Sequence, residues 1–474
     1  MSAFSTVLQV SLLILVVLVI FNIIIFVHEL GHFWAAKWRG LQIDRFQIWF
    51  GKPLWKKEIN GVQYGLGWIP AGGFVALPQM APMEALEGSR EPGAKPLAPI
   101  SAMDKIIVAF AGPLFSMLLA LVTAVGVWAV GKPKDFIPST VVGFIEPGYP
   151  AEQAGLQPGD RIVAINGEEV HGFAGSLDSI TERVVLSRGE KIAFTVERPG
   201  VDEPLTLVSG FKTEESRWFQ RRGLREVGIA PAGKVVIGEV YQNSPAARAG
   251  IVKGDELLEV DGKPLFSIVQ LASHLKSIDY QAADIIVKAA DGSQRTVSLK
   301  PVKPVKPADS DPMIGVRWDD SGEVDTRIVR PGPFQQVADS LRMMWVTITS
   351  VIAKDSNIGI DHLSGPVGIG SLIYDLLLTE NGWRRILAFV VLFNVNLAVL
   401  NMLPFPVLDG GHITLAVLEK IAGRPVRARV LEVLQTACAL LLISLMLYVT
   451  SKDVGDRFGR GGSRGDRTPV FSAD

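Results

Sequence analysis

The sequence predicts a polytopic α-helical membrane protein: four transmembrane helices, a membrane-associated β-hairpin and two extracytoplasmic α+β domains. Three observations predict it. Four stretches are long, apolar and almost free of charge. The segment between the second and third of them contains an internal repeat. A stretch rich in Gly, aromatic and β-branched residues, Gly61 to Leu77, follows the first. The 474 residues are 48% hydrophobic and only 20% charged, below the roughly 25% of ordinary globular chains. Lys+Arg 47 against Asp+Glu 48 gives a formal charge of -1, which argues against a nucleic-acid partner. This composition excludes intrinsic disorder and collagen-like structure for the chain as a whole. Cys438 is the only cysteine, so no intrachain disulfide scaffold exists.

The spans are Val7–Val27, Ile106–Val130, Ile386–Leu403 and Val430–Val449. Each approaches the ~20 apolar residues that cross the ~30 Å hydrocarbon core as a helix. The first is read as a retained helix, because no Lys or Arg precedes it and no small-x-small cleavage site follows promptly. Lys37, Arg39, Arg45, Lys52, Lys56, Lys57, Arg90, Lys95 and Lys105 lie between spans one and two; Lys420, Arg424, Arg427 and Arg429 lie between three and four. Positive residues stay in the cytoplasm, so both loops are expected there, with the long segment between spans two and three outside. Pro333–Ile352 reads as an amphipathic surface helix. Leu363–Gly368 reads as a turn, and the Gly-rich tail 451–474 as disordered.

The outer segment repeats at an offset of 95. Pro150, Ala151, Ala154, Gly155, Gly159, Asp160 and Gly167 recur as Pro245, Ala246, Ala249, Gly250, Gly254, Asp255 and Gly262. Each copy reads as a short helix, a Gly-Asp turn, an apolar strand and an Asn-Gly or Asp-Gly hairpin turn. This string resembles the PDZ domain, once over 135–231 and again over 232–318. The resemblance implies grooves that take peptide termini by strand addition, with Val227-Gly228-Ile229 and Ile314-Gly315-Val316 beside them. A spacer or size filter that binds no peptide is the other reading of each copy.

The chemistry concentrates at His28-Glu29-Leu30-Gly31-His32, which continues the first apolar span. On a helix, positions i and i+4 share a face, so both imidazoles can hold one Zn²⁺ with the carboxylate of Glu29 beside it. Ionisable groups at membrane depth are costly and usually mark function. Catalytic zinc takes three protein ligands and an open position, so a third donor is needed. Asp409 is favoured and His412 is its rival. Asp409 follows span three behind Pro404 and Pro406, and Gly410-Gly411 lets backbone come close.

These residues resemble the site-2 protease family of intramembrane zinc metalloproteases. The likeness rests on His28-Glu29-x-x-His32 with Asn401-x-x-Pro404 and Leu408-Asp409-Gly410, and it covers nearly the whole chain. It implies that His28, His32 and Asp409 bind zinc and that Glu29 is the catalytic base. It implies an enzyme in the bacterial inner membrane that cuts a transmembrane anti-sigma factor already trimmed by a first protease. Ala111-Gly112-Pro113 also matches a family string, but Ser116 stands where an Asn is common.

Cleavage of a transmembrane helix requires it to unwind, and its freed amides then need partners. The hairpin in Gly61–Leu77, with Gly65 and Gly67, is expected to bind the unwound substrate as an added strand. Asn396 and Asn401 are candidate clamps for substrate amides; interhelical bonding and helix capping are their plainer roles. Two other functions compete with the protease: a membrane-anchored PDZ scaffold without catalysis, and a metal-dependent transporter. The intact Glu29 weighs against the scaffold. The lack of an inverted repeat weighs against the transporter.

Overall fold

The structure is a computed structural model, which describes residues 3–80, 100–307, 310–319, 324–423, 426, 428–459 and 469–472. Arg90 and Lys95, Arg424 and Arg427, and tail residues 460–468 and 473–474 lie outside the described residues, so the expectations placed on them are not addressed. The chain divides into two units. One joins 1–133, 328–349 and 363–454; the other joins 134–327, 350–362 and 455–474.

In the first unit, four helices among the described residues are long and apolar enough to cross a membrane: the stretches Ser11–Arg39, Ala102–Val130, Gly382–Asn401 and Arg429–Arg457. Helix α1, Ala3–Arg39, ends where Gly40 turns to a φ of 72° and Leu41 N donates to Ala36 O. A sheet follows, made of β1 (Arg45–Phe50), β2 (Trp55–Ile59), β3 (Val62–Leu66) and β4 (Ile69–Ala76). Helix α2, Ala102–Val130, opens on a reciprocal cap between Ser101 and Asp104. The remaining helices are α3 (Pro333–Ile352), α4 (Pro366–Leu378), α5 (Gly382–Asn401), α6 (Asp409–Ala422) and α7 (Ala428–Gly459).

Three expectations change. The stretch Gly61–Leu77 is not a hairpin. The strand order is β2-β3-β1-β4, so β1 lies between β3, which it meets in parallel, and β4, which it meets antiparallel. The link crosses the end of β1 at Gly67, whose N–H donates to Ile48 O at 2.8 Å. A Cβ on Gly67 would collide with the Trp49 and Phe50 carbonyl oxygens, so the crossing demands glycine. The true hairpin is β2–β3, turned by Asn60-Gly61 with both φ positive (51° and 79°). Second, Leu363–Gly368 is not only a turn: Gly365 is the N-cap and Pro366 the first residue of α4. Third, α7 runs on through Gly459, so residues 451–459 are helical rather than disordered. Asp453 on α7 is 5% exposed and accepts from the N–H groups of Gly365 and Gly368, at 3.0 and 2.7 Å. The partnered carboxylate lets the helix carry charge beyond its apolar stretch. At its other end, α5 stops at Asn401, two residues short of the expected Leu403.

The second unit contains the two repeat copies, and its strands fit the PDZ-like reading. In the first copy the order is 205–209, 192–197, 161–165, 168–169; in the second it is 294–299, 283–288, 256–260, 263–264. Each copy has its own apolar core, around Phe194 and Ile162 in the first and around Ile285 and Leu257 in the second. The repeated aspartates are more than turn formers. Asp160 and Asp255 are each 1% exposed, and Arg198 and Arg295 pair with them from another strand of the same sheet or its end. A buried carboxylate without that partner would be costly. Also in this unit, Arg222 grips Asp361 through Nε and Nη2 at 3.1 and 2.9 Å, which holds its carboxyl well below the usual carboxylate range.

Candidate metal centre

The site is built on α1. His28 and His32 stand one turn apart, and their Nε2 atoms are 3.3 Å from each other. Asp409, the first residue of α6, brings Oδ2 to 3.3 Å from His28 Nε2 and Oδ1 to 3.4 Å from His32 Nε2. Its approach depends on a tight connection from α5, because a Cβ on Gly410 or Gly411 would run into the Met402, Leu403 or Phe405 carbonyls. His412 is not part of this cluster; the three donors are His28, His32 and Asp409.

The donor set fits zinc. Donors ~2.0–2.2 Å from a tetrahedral ion lie about 3.3–3.6 Å from one another. The two imidazole nitrogens are 3.3 Å apart and lie 3.3 and 3.4 Å from the two oxygens of Asp409, within reach of one ion, and three protein donors leave a fourth position open.

The outer ring nitrogens are held by α2. His32 Nδ1 donates to Val108 O at 2.8 Å; because a carbonyl only accepts, a neutral His32 turns the lone pair of Nε2 toward the cluster. His28 Nδ1 bonds the Ser116 hydroxyl at 2.9 Å, and Ser116 is fully buried. Such partners fix the orientation of ligating imidazoles. Ser116→Ala is therefore expected to lower zinc affinity ~10–100-fold, with Ser116→Thr close to wild type. Competition against graded chelators measures it, and unchanged affinity in Ser116→Ala removes the role.

Two glycines let α1 and α2 come this close. A Cβ on Gly31 would strike the Ala111 carbonyl, and one on Gly112 would overlap His32 Nε2 and lie 2.9 Å from His28 Nε2. The sequence singled out Ala111-Gly112-Pro113 only as a family string. A glycine in an apolar helix was the available sign of close approach.

The sheet reaches the site through β4. A Cβ on Gly73 would lie 3.3 Å from Glu29 Cγ and 3.1 Å from Ile25 Cγ2, so β4 runs directly alongside α1. Among the described residues, β4 pairs only with β1 and ends the sheet, with no described strand on its other edge. Gly65 and Gly67 do other work: Gly65 sits within inner strand β3 near Gln47, and Gly67 makes the crossing over β1. Trp49 Nε1 donates to Asn22 Oδ1 at 2.6 Å, which ties the sheet to α1. Of the two asparagines on α5, Asn401 Nδ2 is 3.5 Å from His28 Nε2. Asn396 Oδ1 is buried and accepts no hydrogen bond.

Comparison with known proteins finds one family and several relatives over nearly the whole chain. The model of peptidase family M50 matches residues 16–445. The regulator of sigma-E protease of Salmonella typhimurium is 28% identical over 449 residues, 90% of this chain and 94% of the relative. The protein of that name in Escherichia coli is 28% identical over 446 residues, 90% and 95%. A putative zinc metalloprotease of Ralstonia nicotianae is 30% identical over 456 residues, again 90% and 95%.

Proposed function

Because the chain belongs to peptidase family M50, the site-2 protease type of zinc metalloprotease, we propose that it cuts within the transmembrane segment of a single-span membrane protein, with His28, His32 and Asp409 as zinc ligands and Glu29 as general base. One observation carries the assignment: three donors from distant parts of the chain converge within reach of one ion, beside an apolar helix that also bears Glu29.

When bound, Zn²⁺ supplies a Lewis acid for the scissile carbonyl and lowers the pKa of its water towards ~7. Glu29 takes the proton from the attacking water and passes it to the departing amine nitrogen. The edge of β4 that no described strand covers adds the unwound substrate as a strand and satisfies its freed amides. Asn396 Oδ1 accepts a further substrate N–H, and Asn401 lies beside His28 to hold a substrate carbonyl. Substrate contact thus centres on β4 rather than on Gly65 and Gly67.

The substrate is an anti-sigma factor, trimmed by a first protease before this one acts. The names of the sigma-E relatives support that reading. The groove of the second PDZ-like copy takes a peptide terminus. The chain sits in the bacterial inner membrane, with the PDZ-like copies outside the cytoplasm and the metal site toward it; the placement of Lys37, Arg39, Lys56 and Lys57 supports this. A scaffold without catalysis is not favoured.

Metal analysis of purified wild-type and Asp409→Ala protein, alongside cleavage of a reporter transmembrane segment, is the direct test. About one zinc per wild-type chain is expected, with both metal and cleavage lost in the variant. An Asp409→Ala protein that keeps both would overturn the ligand assignment.

A further inference from the structure

The two PDZ-like copies differ at one notch. In the first, the residue before the short Pro150 helix is Tyr149, and its ring packs against Gly228: a Cβ there would meet Tyr149 Cδ1 at 2.6 Å. Lys212 Nζ lies over that ring, 3.7 Å from its centroid. At the repeat offset the matching residue is Ser244, which brings no ring. The matching glycine is Gly315, by bonding rather than by offset: Tyr241 N donates to its carbonyl as Glu146 N does to that of Gly228. An aromatic ring nevertheless stands there. It belongs to Phe471, near the C-terminus: a Cβ on Gly315 would meet Phe471 Cε2 and Cζ at 2.8 and 2.9 Å. Phe471 is 5% exposed, while its neighbour Val470 is 51% exposed.

Backbone pairing fixes the register. Val470 N donates to Lys306 O at 2.9 Å, and Val305 N donates to Val470 O at 2.7 Å. The bridge is antiparallel, so Val470 extends the 305–306 backbone while Phe471 turns into the notch. This place is separate from the nearby peptide groove. That cavity, about 1150 Å³, lies between helix Ile268–Ser277 and the strand Val316–Trp318; Leu271, Leu275, Met313 and Ile314 line it and Phe471 does not. Pro307 and Gly315 belong to its wall, whereas Val470 and Phe471 pack against Lys306 and Gly315 without lining it.

We propose that the second PDZ-like copy carries a binding site for a short extended segment with an aromatic residue following a β-branched one. The Val305–Lys306 backbone edge and the Ser244–Gly315 notch form the site, and this chain's own Pro469–Ser472 occupies it. Edge pairing supplies alignment and the notch supplies the aromatic selectivity. A contact this small holds because it is intramolecular, at an effective concentration far above that of a free peptide.

The test uses the full chain in detergent, intact or shortened to end at Arg467, and a fluorescent peptide of residues 466–474. The shortened chain should bind the peptide saturably, and the intact chain at least ~10-fold more weakly because its own tail competes. A peptide with Phe471→Ser should bind the shortened chain at least ~10-fold more weakly than the native peptide. Equal binding by both chains, no binding by the shortened chain, or equal binding of both peptides overturns the proposal. Hydrogen exchange on the intact chain gives a reading that needs no truncation. Phe471→Ser should deprotect the Val305 amide while Val287, in its own ladder, stays protected; unchanged Val305 exchange overturns the proposal as well.

Discussion

Glu29→Gln protein is expected to keep its zinc and lose cleavage of a reporter transmembrane segment by at least ~10²–10⁴-fold, the usual contribution of a positioned acid–base group. Glutamine matches the carboxylate in shape but cannot take a proton from water. Glu29 is not one of the three clustered donors, so its neutralisation leaves the ligand set whole. Metal content and activity therefore separate, unlike in Asp409→Ala, where both fall together. Zinc analysis and a cleavage assay on the same preparation measure the pair. Retained cleavage would mean that another group accepts the proton, and joint loss of metal would mean that Glu29 is a ligand.

Gly112→Ala is expected to be as damaging as loss of a ligand, although it touches no chemistry. The added methyl would occupy the space of His32 Nε2 and crowd His28 Nε2 at 2.9 Å. Both rings are pinned on their outer nitrogens by α2, so they cannot step aside without losing Val108 O or Ser116. A fall in zinc affinity of at least ~100-fold is expected, at the upper end of what outer support of a ligand contributes. The sign of the helix effect is opposite, since alanine favours a helix over glycine by about 1 kcal/mol. Gly126→Ala in the same helix provides the control, because nothing lies within 4 Å of a Cβ there. If Gly112→Ala binds zinc as well as Gly126→Ala, the close fit of α2 to the metal cluster is not what holds the rings.

The parts legible in the sequence were those written locally. Four apolar lengths, the His28-Glu29-x-x-His32 spacing and the 95-residue repeat each depend on near neighbours in the chain, and the membrane helices and the cluster follow from them. Asp409 follows from asking for a donor near a second helix end; the sequence already favours it over His412, and the cluster contains Asp409 and not His412. The sheet was not legible. Its order depends on β1 inserting between two strands that are adjacent in sequence, a choice made by tertiary pairing. The one local sign, Asn60-Gly61, lay at the edge of the stretch taken as a hairpin and marked the turn before it. Helix α4 was hidden by a Gly-Pro pair that signals both a turn and a helix start, and only packing decides between them. Phe471 was beyond reach, because its meaning lies in what Ser244 lacks.

The flank of β4 that no described strand covers, if it is the substrate's docking edge as proposed, has a consequence for selectivity. Main-chain pairing is blind to most side chains, so an enzyme that grips its target this way discriminates by how easily the target's spiral comes apart. Segments weakened by glycine or proline near the cut would be chosen over uniformly leucine-rich ones, whatever the identity of the residues at the cut itself.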